Sequence, residues 1–168
     1  MLANQIGYYS LILGLISSII IIPISLKNYS QNNETIDRKI FSLSFFQFFF
    51  VLISFIGLVF SFVNSDFGNE TVYNNSHTTK PLFYKISGTW GNHEGSLLLW
   101  LVVLNLFIFL FLIKSKNLLK EYRILTVLFQ QIIIIGFFTF LIKSSNPFNY
   151  IFPIPDEGMG LNPILQDP

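Results

Sequence analysis

Four stretches without a charged side chain, Ile6 to Leu26, Phe41 to Val63, Leu97 to Ile113 and Ile124 to Ile142, constrain this chain more than any other feature. They run to 21, 23, 17 and 19 residues and hold 80 of the 168 positions, while all 19 charged residues fall outside them. At about 1.5 Å rise per residue, each can cross a hydrocarbon core of roughly 30 Å, the third only just. Charged residues make up 11% of the chain, against roughly 25% in a soluble domain. The expected fold is an all-α integral membrane protein. Four transmembrane helices occupy residues 1–142, with a short interfacial helix between the second and third, and residues 143–168 form an extramembrane tail that holds five of the seven prolines.

The same composition excludes several function classes. A net charge of +1, with Lys and Arg at the membrane edges, offers no electrostatic face for nucleic acid. The absence of Cys removes disulfides, thiolate metal sites and thiol catalysis, and two His, His77 and His93, leave little for a transition-metal site on this chain alone. The first basic residue is Lys27, beyond the first apolar stretch, so the amino terminus reads as a retained span instead of a secretory signal. One Ala and two Arg against 20 Phe, 24 Ile and 14 Asn is the usage expected of AT-rich codons, which points to an organellar gene.

With four alternating spans, the segments Lys27 to Lys39 and Lys114 to Arg123 share one side and carry seven of the ten Lys and Arg residues. The amino terminus, the loop 64–96 and the tail share the other, with Lys80, Lys85 and Lys143. The positive-inside rule then places both termini and the long loop on the intermembrane-space or periplasmic side. Polar residues inside the spans are all uncharged. Ser10, Gly14 and Ser18 recur every four residues in the first; Gln47, Ser54, Gly57 and Ser61 mark the second; Asn105 sits in the third, and Thr126, Gln130 and Gln131 in the fourth. Such residues form interhelical contacts, and without an ionisable group a channel or transporter has little support. Glycosylation patterns at Asn28, Asn33, Asn69 and Asn74 would face opposite sides and read as chance matches among many Asn.

The chemically informative stretch runs from Val72 to Trp100. Pro81 suits the first turn of a helix, with Leu82, Phe83, Ile86 and Trp90 at helical spacing, and this segment is expected to lie on the membrane face. Gly88, Gly91 and Gly95 permit sharp bends before the chain returns into the bilayer at Ser96. Glu94 suits a helix amino terminus, and Trp90 and Trp100 suit the interfacial aromatic belt. His93-Glu94 fails as a zinc-protease motif because Leu97 stands where the second His belongs. His93 is therefore read as a polar interfacial anchor, with haem ligation, proton transfer and partner binding as the alternatives. Substitution of Trp90 or Glu94 is expected to cost more than substitution of Asn69, Thr78 or Thr79.

The stretch P-L-F-Y-K-I-S-G-T-W-G-N-H-E-G-S-L-L-L-W, Pro81 to Trp100, closely resembles the CcmF/NrfE family of membrane haem-handling proteins. The tail S-S-N-P-F-N-Y-I-F-P-I-P-D-E-G-M-G-L-N-P-I-L-Q-D-P, Ser144 to Pro168, is similar to that family's link to its tryptophan-rich domain, and Val72 to Ser76 is also similar. These blocks cover about a third of the chain; Gly160 departs from the acidic residue expected before Leu161. The resemblance implies a component of a holocytochrome c synthase, or haem lyase, acting in c-type cytochrome maturation. It assigns no catalytic residue and no haem ligand here, and it marks Trp90, Gly91, Asn92, His93, Glu94, Gly95 and Ser96 as a family motif of unassigned role.

Because the family continues into a His-containing stretch and a tryptophan-rich domain, the resemblance implies the amino-terminal component of a split protein, or a truncated relative. Haem is then expected in the complete complex and not on this chain alone. The implied partners are membrane lipid, a carboxy-terminal CcmF-like chain, a haem chaperone and an apocytochrome c, in the mitochondrial inner membrane or a bacterial plasma membrane. The competing reading is a structural or accessory subunit of a large inner-membrane complex, for example a respiratory one, that keeps the fold without the haem chemistry.

Overall fold

Each uncharged stretch lies within one long helix of the computed structural model, which describes residues 2–31 and 34–160. The order is α1 (Leu2–Gln31), α2 (Glu34–Val63), α3 (Glu70–Asn75), α4 (Leu82–Gly88), α5 (His93–Lys114), a single 3-10 turn (Ser115–Asn117) and α6 (Lys120–Ser144). Asn33 and the segment Leu161 to Pro168, including its L-N-P, lie outside the described residues. The four long helices of an integral membrane bundle are α1, α2, α5 and α6. They outrun the apolar stretches because apolarity marks the hydrocarbon core, whereas a 30-residue helix such as α1 is about 45 Å long and reaches past it.

The bundle packs α1 against α2 and α6, and α5 against α2 and α6. Its core includes Leu11, Ile21, Val51, Leu58, Phe62, Leu98, Leu101, Ile134, Phe138 and Leu141, all with no exposed surface. The small residues of α1 have neighbours that use the space they leave. A Cβ on Gly14 would meet the Phe138 ring at 2.8 Å, and one on Gly57 would meet the Ala3 carbonyl at 3.0 Å and the Gly7 Cα at 3.2 Å, so α1 and α2 approach backbone to backbone.

The intramembrane amides join helices. Gln47 and Gln131 exchange two hydrogen bonds of 3.1 Å between α2 and α6, and the Ser18 hydroxyl of α1 donates to Gln131 Oε1 at 2.6 Å. Asn105 donates to the Leu101 carbonyl one turn back at 2.7 Å. At the basic end of the bundle, the half-buried Asp37 of α2 pairs with Arg123 of α6 at 3.3 Å and also accepts from Asn28 of α1. Asn28, read as a chance glycosylation pattern, is buried.

Candidate functional site

The other end of the bundle carries the informative stretch, and the segment 64–79, polar and turn-rich in sequence, is ordered there. Asn69 caps α3, its side-chain oxygen accepting from the Val72 amide at 3.1 Å. Its Nδ2 donates to Asn4 of α1 at 2.6 Å and to the Pro147 carbonyl at 2.8 Å, while Asn4 donates to the Phe148 carbonyl at 3.2 Å. With no exposed surface and side-chain hydrogen bonds to α1, α3 and the tail, Asn69 is a junction between three segments. The signal that could have revealed it was its position immediately before Glu70, where Asn acts as a helix cap.

The tail lies along this loop. Glu70 donates its amide to the Asn149 carbonyl at 2.9 Å, Ile151 to Gly68 at 3.0 Å, Met159 to Tyr73 at 2.8 Å and Gly160 to Ser76 at 3.1 Å. Glu157 fastens the distal part by accepting from the Thr78 amide at 2.9 Å and the Thr78 hydroxyl at 2.6 Å. These bonds, first the hydroxyl and then the amide, hold the Glu157 carboxyl below its usual 4.5, and the nearby His77 acts in the same direction. Thr78 is thus also engaged, through both its amide and its hydroxyl.

The motif Trp90 to Ser96 forms the turn that returns the chain into the bundle. As expected, α4 follows Pro81, but it closes at Gly88, so Trp90 lies beyond it and is partly exposed. Its apolar residues Leu82 and Phe83 are exposed, whereas Lys85 donates to Ser65 at 2.7 Å and Lys80 to the Asn75 carbonyl at 2.7 Å. Partial burial lowers the Lys80 ammonium from its usual 10.5. Asn92 caps α5: its Oδ1 accepts from the Gly95 amide at 2.7 Å, and its Nδ2 donates to the Gly88 carbonyl at 2.8 Å and the Thr89 carbonyl at 3.2 Å. Gly95 leaves no room for a side chain, since a Cβ would run into the Thr89 carbonyl. Glu94 stands in the first turn of α5, where the exposed amides favour an anion, and Ser96 donates to the His93 carbonyl at 3.0 Å. Gly91 closes the turn through its amide to the Ser87 carbonyl at 3.1 Å.

The two histidines serve separate contacts. His93 Nδ1 is 3.0 Å from the Ser145 hydroxyl, and its ring meets Phe140 edge-on, tying the start of α5 to the end of α6. His77 Nδ1 is 2.9 Å from the Thr79 hydroxyl and its Nε2 is 3.8 Å from Glu157. His93 thus contacts the end of α6, and His77 the loop and the tail. Among the described residues, no three His, Asp or Glu side chains group as metal ligands. The arrangement caps α3 and α5 and joins the loop to the tail.

No protein-family model matches the chain. It is 37% identical over 163 residues to the cytochrome c-type biogenesis protein CycK of Rhizobium meliloti, covering 97% of this chain and 24% of that one. It is 42% identical to CycK of Bradyrhizobium diazoefficiens over 161 residues, covering 96% and 24%. Its fold is similar to a solved cytochrome c heme lyase CcmF, with a TM-score of 0.80 and 26% identity over 88% of this chain and 25% of that one. The chain thus spans about a quarter of the length of the curated relatives it matches. It resembles the amino-terminal part of CcmF-type proteins along nearly its whole length, well beyond the third that the sequence motifs cover.

Proposed function

We propose that this chain is the amino-terminal membrane component of a CcmF-like haem lyase and acts in c-type cytochrome maturation. The observation that carries this is the combination of 37% identity to a cytochrome c-type biogenesis protein along 97% of the chain with a CcmF-like fold at a TM-score of 0.80. In this reading the rest of the machine, including the residues that hold haem, belongs to a carboxy-terminal CcmF-like partner chain. This chain builds a rigid support beneath it. The described tail is anchored on α3 by backbone hydrogen bonds and on Thr78 by Glu157, so its course as far as Gly160 is held against the loop. The motif Trp90 to Ser96 acts as a positioning element, with Asn92 and Gly95 fixing the turn, His93 joining α5 to Ser145, and Glu94 and Trp90 presented at the membrane edge.

Residues 1–142 act as the membrane domain and 143–168 as the extramembrane tail. Supported by the seven-to-three division of basic residues, we place both termini and the loop 64–96 on the intermembrane-space or periplasmic side. That side brings the tail to where an apocytochrome and a haem chaperone would meet the complex. The AT-rich residue usage supports the mitochondrial inner membrane, and the bacterial relatives support the plasma membrane as its counterpart. The test is purification of the tagged chain from its native membranes in mild detergent. A co-purifying CcmF-like chain rich in Trp, with a b-type haem spectrum, is the expected result. Respiratory oxidoreductase subunits alone would refute the proposal.

A further inference from the structure

Five glycines lie inside the four long helices: Gly7, Gly14, Gly57, Gly95 and Gly136. At the first four, an added Cβ would strike or touch a neighbouring segment, so each is already used for close packing. At Gly136 it would meet nothing within 4 Å. Glycine weakens a helix relative to alanine, and in a membrane bundle its compensation is the close approach of another backbone. Gly136 sits in a groove of about 390 Å³ between α5 and α6, lined by Leu97, Ile133, Phe137 and Phe140 with it. Phe140, at the loop end of this groove, also touches His93.

We infer that the groove at Gly136 seats a transmembrane helix from the carboxy-terminal CcmF-like sequence. The inference rests on the function proposed above and names the surface through which its two parts join. The solved CcmF heme lyase to which this fold is similar has about four times the matched length, as do the CycK relatives, so proteins of this kind carry substantial further chain beyond the matched bundle. A helix, unlike a disordered acyl chain, has a rigid backbone that can close on a glycine, with ridges meeting grooves at roughly 8–10 Å between axes. The groove is apolar throughout, which suits an occupant within the hydrocarbon layer. Its loop end leads to His93 and Ser145, so a helix seated there would bring its terminus toward the motif and the fixed tail.

A photo-crosslinking residue placed at Ile133, in the complete assembly in native membranes, tests this directly, with Ile16 on the exposed face of α1 as the control. The expected adduct at Ile133 is with an apolar, membrane-spanning segment of a CcmF-like chain, at least fivefold above the control. Gly136→Leu should reduce recovery of that chain at least tenfold, and Gly136→Ala by less, with the abundance of this chain unchanged. If Leu lowers abundance, the crosslink from the otherwise native chain decides. Where the CcmF-like chain co-purifies but Ile133 yields only lipid or a second copy of this chain, the groove assignment is overturned and the proposed function stands. If no CcmF-like chain co-purifies and cytochrome maturation is intact, both fall.

Discussion

Replacing Gly95 with Ala should break the turn that starts α5. The added Cβ would overlap the Thr89 carbonyl oxygen and lie 2.8 Å from its carbon, where ordinary nonbonded contact is roughly 3.5 Å. Thr89 must therefore retreat, but its carbonyl accepts from Asn92 Nδ2 at 3.2 Å, and Asn92 Oδ1 holds the Gly95 amide at 2.7 Å. The substitution sets a packing clash, worth about 1–3 kcal/mol, against a helix cap, worth about 1 kcal/mol. A loss of about 2–4 kcal/mol follows, reduced slightly by the better helix propensity of Ala. At about 1.4 kcal/mol per tenfold, the correctly formed turn becomes roughly 30 to 1,000 times less populated relative to opened forms. Thermal unfolding of this chain purified without its partner in nanodiscs measures the effect, with Gly136→Ala as the matched substitution at a position where, within this chain, the Cβ meets nothing within 4 Å. Gly95→Ala should lower Tm by several degrees, and Gly136→Ala should not. An unchanged Tm for Gly95→Ala would refute the geometry on which this reasoning stands.

Asn69→Ala removes three side-chain hydrogen bonds at a buried junction and should cost about 2–3 kcal/mol, read as faster proteolysis of the tail; equal protection would contradict its role as the junction. The Glu157 clasp should depend on pH. Because the folded carboxyl is held below 4.5, its contribution is fully present above the ordinary Glu range and disappears as pH falls through the lowered value. Hydrogen exchange at 156–160 should thus be constant from neutral pH down to about 5, after correction for intrinsic rates, and rise in more acid solution; Glu157→Gln should abolish the step. A Cys introduced at exposed Asn74 should react with an impermeant reagent from the intermembrane-space or periplasmic side, and labelling from the opposite side alone would reverse the orientation.

The membrane bundle was legible in the sequence because each span writes a long uncharged run, and the amides within them signalled contacts that Gln47, Gln131 and Ser18 make. The α4 segment was legible from Pro81 and its apolar spacing, although Gly88 ended the helix before Trp90. What did not show was the union of the loop and tail. Asn69 bonds to Asn4, 65 positions away, and to Pro147, 78 positions away, and Thr78 reaches Glu157 across 79 positions. A polar, turn-rich composition describes such segments one at a time and carries no record of their pairing. The Trp90 to Ser96 motif is legible in the sequence as a block but its mechanics are not: the cap at Asn92 and the crowding at Gly95 depend on how the turn folds back on Thr89.

The most direct test of the proposed role is the haem-stained profile of c-type cytochromes in membranes depleted of this chain. Loss of covalently bound haem from these cytochromes, with their apoproteins still synthesised and restored by re-expression of the chain, is the expected result. Normal covalent haem attachment in its absence, with a defect confined to assembly of a respiratory complex, would contradict it.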